Sequence, residues 1–210
     1  MQSVTPVEPF AGSWPALTHR VATVLDAAGC GAEGRLNDLW EFDTQTSTWR
    51  ALPTNPDIKP RGGASLIASS DGKSLYVIGG FCGHELADVH RFDVAAGTWV
   101  ACSALPTARS VLGVGTHDCS GACGNDGAIL AYGGEVDPSD KGHEGAGDFC
   151  AELLGHSAGG TWLSLDSSGE GPGPRGWYAC TTHKGDLVVH GGLGADNARR
   201  GDMYILRMHT

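Results

Sequence analysis

Short runs of apolar and polar residues, separated by turn residues, dominate the pattern along the chain. Residues 65–69 (SLIAS) and 74–78 (SLYVI) are rich in residues that favour strands, and Asp71-Gly72 lies between them. Because glycine adopts positive φ without a steric penalty, this spacing predicts a β-hairpin. Similar turns at 125–127 (NDG) and 184–186 (KGD) separate later strand-like runs. The pattern therefore predicts an all-β chain of short antiparallel strands.

Two repeating units make the strand pattern more specific. Residues 37–53 align with residues 87–106, so that Phe42 and Trp49 recur as Phe92 and Trp99. A second unit consists of a Pro/Ala-Arg pair, a small-residue strand, a turn and an apolar strand that ends in Gly-Gly. Its copies are PRGGASLIASSDGKSLYVIGG (60–80), ARSVLGVGTHDCSGACGNDGAILAYGG (108–134) and PRGWYACTTHKGDLVVHGG (174–192). Together the units predict four-stranded β-propeller blades.

The glycine pairs and the tryptophans that follow the repeated turns resemble those of the kelch family. The residues that carry the resemblance are Gly79-Gly80, Gly133-Gly134, Gly191-Gly192, Trp49, Trp99 and Trp162. The resemblance implies a kelch-type β-propeller with about four recognisable blades, of which the first is incomplete. We predict one domain over 1–210, with a disordered start (1–11), a closing strand (12–18), an incomplete blade (20–53) and further blades at 60–106, 108–165 and 174–210.

The two ends of this domain are predicted to meet. The last repeat stops after a third strand at 202–206, whereas GSWPALT (12–18) reads like the tryptophan-containing fourth strands. We therefore expect the N-terminal strand to pair with the open edge of the last blade. The first blade lacks an apolar strand ending in Gly-Gly, and we favour an internal loss near 26–36 over a small or imperfect ring.

Composition and charge narrow the classes of partner. The 210 residues carry a formal net charge of −10, and nucleic-acid binding usually needs a basic face. No run of 18 apolar residues predicts a membrane helix, and the N-terminus does not resemble a secretory signal. The seven cysteines are scattered, as is typical of free thiols in a reducing compartment. We expect a cytoplasmic location, with the nucleus as the alternative.

Three arginines recur at the start of the second unit: Arg61, Arg109 and Arg175. In one interpretation they are structural, and each guanidinium binds carbonyl groups of a neighbouring blade. In the other they are ligand-binding residues, forming a cationic rim that clamps a small anion such as sulfate, phosphate or carboxylate. The sequence leaves both interpretations open.

One loop is much longer than its counterpart in the preceding repeat. The loop at 135–153 replaces an eight-residue segment at 81–88, and long loops in compact repeats often have a function. Its sequence EVDPSDKGHEGAGDF, together with PRGW (174–177), resembles the plant specifier proteins, a kelch branch that redirects the breakdown of glucosinolate aglucones. The resemblance implies ferrous iron as a candidate cofactor, held by a Glu-x-x-x-Asp-x-x-x-His pattern.

The candidate metal ligands are Glu135, Asp140 and His143. Glu135 and His143 match the family pattern, but its middle position is Ser139, and Asp140 lies one residue later. An oxygen-rich set with one imidazole suits Fe(II), Mn(II) or Zn(II).

Two functions follow from these features. The first is a non-enzymatic kelch propeller that binds a partner protein or a small anionic ligand through its loop face. The alternative is an iron-dependent specifier-type protein, in which Arg61 and Arg109 would hold the sulfate of the aglucone. A copper enzyme of the galactose oxidase kind, which shares the kelch propeller, would need a Tyr–Cys cofactor that the four tyrosines do not suggest.

Overall fold

All regular structure in the described part of the chain is β-structure. The computed structural model describes residues 29–32, 34–117, 127–137, 147–157 and 160–208. The strands are β1 (Cys30–Gly31), β2 (Gly34–Arg35), β3 (Trp40–Asp43), β4 (Thr48–Ala51), β5 (Ser65–Ala68), β6 (Ser74–Ile78), β7 (Val89–Asp93), β8 (Thr98–Cys102), β9 (Gly113–His117), β10 (Ala128–Tyr132), β11 (Glu135–Asp137), β12 (Asp148–Phe149), β13 (Leu153–Ser157), β14 (Trp162–Ser164), β15 (Arg175–Gly176), β16 (Ala179–His183), β17 (Asp186–Gly194) and β18 (Arg199–Leu206). The predicted all-β class is confirmed. Within these ranges, no helix is long and apolar enough to cross a membrane.

The strands group into units that we call blades 1 to 4. Blade 2 is a four-stranded sheet in the order β5-β6-β7-β8, and blade 3 has the order β9-β10-β13-β14. In blade 4, β17 pairs with β16, β18 and the short β15. Blade 1 contributes the separate hairpins β1-β2 and β3-β4. This succession of antiparallel sheets is the kelch-type β-propeller arrangement that the repeats predicted.

In each of blades 1, 2 and 3, two ring-bearing side chains at equivalent positions pack against each other across the outer two strands. Phe42 lies opposite Trp49 in blade 1, and Phe92 lies opposite Trp99 in blade 2. The ring centroids are 5.0 Å apart in both pairs. In blade 3 the corresponding pair is His156 and Trp162, with the centroids 4.9 Å apart. Cross-strand aromatic pairs stabilise sheets, so the repeat reflects a packing requirement.

The repeated glycine pairs lie where one blade passes close to the next. Gly79 has φ of +61°, and a Cβ atom there would lie 2.4 Å from the carbonyl oxygen of Arg109. The next glycine, Gly80, donates its N–H to that same carbonyl at 2.9 Å. Gly134 makes the equivalent bond to the carbonyl of Arg175 at 3.0 Å. Only glycine combines this conformation with this approach, which explains the motif.

Apolar side chains fill the spaces between successive blades. Tyr76, Ile78 and Val89 of blade 2 are buried in one cluster with Val114 and Trp162 of blade 3. A second cluster joins blades 3 and 4, and its buried members are Leu130, Tyr132, Leu153, Leu187 and Val189. The core is therefore divided among the interfaces between blades, as sheet-on-sheet packing requires.

Blade 1 differs from the others in the way the sequence indicated. Its β3-β4 hairpin has no apolar Gly-Gly strand beside it among the described residues. The structure adds the short hairpin β1-β2, which the sequence did not predict, because Gly- and Cys-rich residues show no alternation. The predicted closing strand (12–18) lies outside the described residues. The last strand, β18, begins at Arg199, three residues earlier than expected.

Candidate functional site

The three repeated arginines lie at equivalent buried positions in blades 2, 3 and 4. Arg61 and Arg109 have no exposed surface, and Arg175 is 3% exposed. Each follows the linker that leads into its blade, and β15 begins at Arg175 itself. Since a buried cation needs acceptors around it, the partners of these side chains determine what they can do.

Arg61 is enclosed by acceptors from its own blade. Its Nη1 and Nη2 atoms donate to the two carboxylate oxygens of Asp88 at 2.5 and 2.7 Å. Nη1 also donates to the carbonyl of Gly79 at 3.0 Å, and Nε donates to that of Lys59 at 3.0 Å. The bidentate pair and the two carbonyl bonds fix the orientation of the guanidinium.

Arg109 has the same surroundings in blade 3, with one difference. Its Nη2 donates to Glu152 at 2.7 Å, and Nε donates to the carbonyl of Thr107 at 3.2 Å. Nη1 lies 3.3 Å from the carbonyl of Gly133 and 3.2 Å from the Cys150 Sγ atom. The enlarged loop therefore supplies a thiol beside this arginine.

Arg175 completes the series in blade 4. Nη1 and Nη2 donate to the carboxylate of Asp202 at 2.6 and 3.1 Å. Nη1 also donates to the carbonyl of Gly191 at 3.0 Å, and Nη2 donates to that of Pro172. The guanidinium lies over the ring of Tyr204, 5.5 Å from its centroid.

The hydrogen bonds within these ion pairs shift the pKa values of their members toward the charged forms. Burial alone would raise the pKa of Asp88, but hydrogen bonds from His90 and Arg61 outweigh it and hold the pKa well below its usual range. The hydrogen bond from Arg175 lowers the pKa of Asp202, and the same bond raises the pKa of Arg175. Most guanidinium donors already have acceptors inside the blade, which favours the structural interpretation. Anion binding by these arginines stays a prediction.

The ends of the blades nearest these arginines form one continuous surface, which we call the loop face. Its described residues are 61–63, 80–87, 109–111, 134–137, 147–151 and 175–177. Backbone hydrogen bonds join segments of different blades, because Gly80 N donates to the carbonyl of Arg109 and Gly134 N donates to that of Arg175. The loop face is thus built from neighbouring blades, as binding surfaces of propellers are.

Glu135 lies at the base of the enlarged loop. It is the first residue of β11, is 7% exposed, and accepts a hydrogen bond at Oε1 from the N–H of Gly147 at 3.0 Å. Asp140 and His143 lie outside the described residues, so the predicted iron ligand set is not tested. In the described ranges, no group of three His, Cys, Asp or Glu side chains is placed to hold a metal ion.

A second buried carboxylate, which the sequence did not predict, lies on the loop face. Glu85 is buried, and burial raises its pKa, with the nearby charge of Asp137 adding to the effect. The hydroxyl of Ser110 is 3.4 Å from Glu85 Oε1. Glu85 does not belong to either repeating unit. The only sign of it in the sequence was its place in the segment 81–88, which corresponds to the enlarged loop.

The loop face also carries a half-exposed tryptophan on a strained backbone. Trp177 is 50% exposed, has φ of +53°, and packs edge-on against Phe149 with the centroids 5.7 Å apart. The equivalent residues Gly63 and Val111 also have positive φ, at +60° and +49°. Positive φ is rare for bulky residues, and most of all for a β-branched one.

Backbone hydrogen bonds connect these three residues of positive φ. Val111 N donates to the carbonyl of Gly63 at 2.7 Å, and Trp177 N donates to that of Val111 at 3.3 Å. The bonds run from blade to blade across the loop face. Since surrounding structure must over-determine a strained conformation, they explain how Trp177 is held with its indole partly in solvent.

Comparisons with known proteins agree with this architecture. A sulfolyase of Thlaspi arvense, N-(sulfonatooxy)prop-2-enimidothioate sulfolyase, is 24% identical over 198 residues, covering 84% of this chain and 55% of that protein. The leucine-zipper-like transcriptional regulator 1 of Pongo abelii is 24% identical over 208 residues, covering 94% of this chain and 23% of that protein. The chain thus spans about half of the first relative and about a quarter of the second. Residues 16–134, more than half of the chain, match the model of the KLHDC2/KLHL20/DRC7 Kelch-repeats domain, and the chain therefore belongs to the kelch-repeat family.

Proposed function

We propose that this chain is a binding module that engages a partner protein through its loop face. The observation that carries the proposal is the half-exposed indole of Trp177, which a strained and hydrogen-bonded backbone holds on that face. Aromatic residues dominate the energetics of protein interfaces, and strained residues cluster at functional sites. Phe149 supports the indole from one side, so the anchor is preorganised.

Two tryptophans of matched exposure allow a sharp test. Trp177 is 50% exposed on the loop face, and Trp49 is 49% exposed on the outer strand of blade 1. Proteins captured from a cell extract by the wild-type chain would be compared quantitatively with those captured by Trp177→Ala and by Trp49→Ala. We expect at least one captured protein to be lost with Trp177→Ala and retained with Trp49→Ala.

The same pair of variants then tests the affinity. For a purified partner, loss of the Trp177 side chain should weaken binding by about 30-fold or more, as for a central aromatic anchor. If Trp177→Ala binds the same proteins with unchanged affinity, the loop face is not the binding surface.

A second candidate function is an iron-dependent activity of the specifier type. Glu135 supports it, because this carboxylate lies at the base of the enlarged loop, where an oxygen donor suits a ferrous ion. One of the two relatives described above is named as a sulfolyase. Glu135 would hold the ion together with Asp140 and His143.

Iron content distinguishes the two functions. The wild-type chain would be reconstituted with Fe(II) without oxygen, next to a Glu135→Gln/His143→Ala double variant. Glu85→Gln is the matched control, because Glu85 is a buried carboxylate of the same face outside the enlarged loop. If the chain has the iron-dependent function, the wild type and the control should retain iron and the double variant should lose it. Equal iron in all three proteins would remove the iron-dependent function.

A further inference from the structure

The last blade has one face that no other part of the described chain covers. Exposed and half-buried residues alternate along β16 and along the second half of β18, whereas every residue of β6 in blade 2 is buried. Val188 pairs with Ile205, and His190 pairs with Met203, so these side chains form one continuous surface across β17 and β18. Met203 is 63% exposed and Ile205 is 54% exposed. We call these four residues the forward face of blade 4.

In other blades the equivalent positions are covered by the next blade. Leu39 and Val89 are the counterparts of Met203 in blades 1 and 2, and each is 1% exposed. Leu39 is buried in one cluster with Phe92 of blade 2, and Val89 is buried in one cluster with Trp162 of blade 3. Among the described residues, the forward face of blade 4 lacks such a cover.

The first blade has the complementary open face. Trp49 is the counterpart of Trp162, because both tryptophans lie opposite the equivalent ring of the neighbouring strand. Trp162 packs against blade 2 and is 7% exposed, whereas Trp49 is 49% exposed. Trp40 is 37% exposed and lies on the same side of the hairpin as Phe42, two residues later. We call Trp40, Phe42 and Trp49 the back face of blade 1.

The two open faces are the two halves of one kind of interface. Val89 and Trp162 show how a forward face and a back face meet inside the chain, and Met203 and Trp49 are their counterparts. Within one chain Met203 and Trp49 do not cover each other, because both keep about half or more of their surface exposed. Burying them together would remove apolar surface from water and place a thioether beside an indole, which is a favourable contact.

We propose that the forward face of blade 4 docks on the back face of blade 1 of a second copy of this chain. A two-fold axis repeats the contact, so each copy provides one face and receives the other. The two copies together contain about eight blades, at the upper end of the range for closed β-propellers. A second copy is a better match than an unrelated protein, because the contact continues the series of interfaces between blades 1 and 2, 2 and 3, and 3 and 4.

Charged substitutions on the two faces test the proposal through the mass of the protein in solution. Met203→Lys and Trp49→Glu each place a charge where pairing would bury it. Both positions are exposed in a single chain, so each variant should fold, which circular dichroism checks. By sedimentation equilibrium we expect the mass of two chains for the wild type and of one chain for each variant alone. Leu163→Lys is the matched control and should stay paired, because Leu163 is also 63% exposed but lies on β14 of blade 3.

An equimolar mixture of the two variants tests the direction of the contact. The mixed pair keeps one unaltered interface, between Trp49 of the Met203→Lys chain and Met203 of the Trp49→Glu chain. At its other interface the two introduced charges are opposite in sign. We therefore expect the mixture to regain the mass of two chains. If one variant stays paired when alone, a face packs on its own copy instead, and the proposal is overturned.

Two other results would also overturn the proposal. A wild-type mass of one chain at high concentration would show that no second copy covers the open faces. A mass that keeps rising with concentration would show an open head-to-tail filament instead of a closed pair. These outcomes do not depend on the proposed binding function, because Trp177 lies outside both open faces. Trp177→Ala should stay paired, and capture of a partner by the loop face does not require pairing.

Discussion

Each repeated arginine is a buried cation whose charge is matched within its own blade. Asp88, Glu152 and Asp202 occupy equivalent places and accept from Arg61, Arg109 and Arg175. The sequence revealed the arginines through the repeat, but it could not decide between structure and ligand binding, because both demand the same residue at the same spacing. The distinction depends on the acceptors, which come from distant parts of the chain.

Replacing Arg61 with methionine is expected to destabilise the protein strongly. Methionine fills much of the volume but leaves the Asp88 carboxylate and the carbonyl of Gly79 without the guanidinium, so the free energy of unfolding should fall by about 3 kcal/mol. Arg50→Met is the control, because Arg50 forms an exposed pair with Glu41 that is worth about 0–1 kcal/mol. Urea unfolding measures both, and equal small losses would contradict a structural role for Arg61.

His156 is expected to make stability depend on pH. It is 5% exposed and stands where blades 1 and 2 have Phe42 and Phe92, and burial lowers its pKa from 6.5. The unfolded chain therefore takes up a proton below pH 6.5 that the folded chain accepts only at lower pH. The stability due to neutral His156 is complete above that value and is lost as the pH falls through the folded pKa.

His156→Phe should remove this part of the pH dependence. Urea unfolding at pH 7.5 and pH 5.0 would be compared for the wild type, His156→Phe and the exposed-site control His183→Gln. We expect the difference between the two pH values to shrink only in His156→Phe. An unchanged difference in that variant would show that folding does not shift the pKa of His156.

At the scale of elements, the sequence predicted the strands that carry strong local signals and missed those that do not. The strand at 74–78 coincides with β6, because its side chains are apolar and a glycine turn precedes it. The β1-β2 hairpin and the short β15 have almost no alternation, and β15 pairs with Leu193 and Gly194 of β17, which lie far from it in sequence. The half-exposed position of Trp177 was likewise not predicted, because the sequence shows that a tryptophan is present but not how much of its side chain is exposed.

The glycine pairs provide a test at this scale. Gly79→Ala should destabilise the protein much more than Gly72→Ala, although both glycines have positive φ, +61° and +70°. A left-handed alanine costs about 1 kcal/mol at either position. At Gly79 the added Cβ would also meet the Arg109 carbonyl at 2.4 Å, whereas no atom lies within 4 Å of a Cβ at Gly72. Equal losses in unfolding free energy would mean that the contact between blades is easily relaxed.

The whole molecule is a succession of interfaces in which each blade covers the previous one. Val89 and Leu153 are buried at equivalent places in blades 2 and 3, while Met203, their counterpart in blade 4, is 63% exposed. The repeat in the sequence predicted this stacking, because it fixes which residues face the next blade. It could not predict the polar side-chain bonds between blades, such as the one that joins Gly113 and Tyr178, 65 positions apart.

Tyr178 makes two of these polar bonds, and loss of its hydroxyl should weaken the interface between blades 3 and 4. Its hydroxyl accepts from the N–H of Gly113 at 2.8 Å and donates to the carbonyl of Tyr132. Burial raises the pKa of Tyr178 well above its ordinary value, so the hydroxyl stays neutral and keeps both bonds. Tyr178→Phe leaves two buried backbone groups without this partner, at about 1–3 kcal/mol each.

Native-state hydrogen exchange can locate this loss. We expect faster exchange in β16, β17 and β18 of Tyr178→Phe than in blade 2, because the interface between blades 3 and 4 alone is weakened. Tyr204→Phe is the control, since it keeps the ring beneath Arg175 and does not touch this interface bond. If exchange rises equally in blades 2 and 4, the blades unfold as one cooperative unit, and Tyr178 stabilises the molecule without coupling this particular pair.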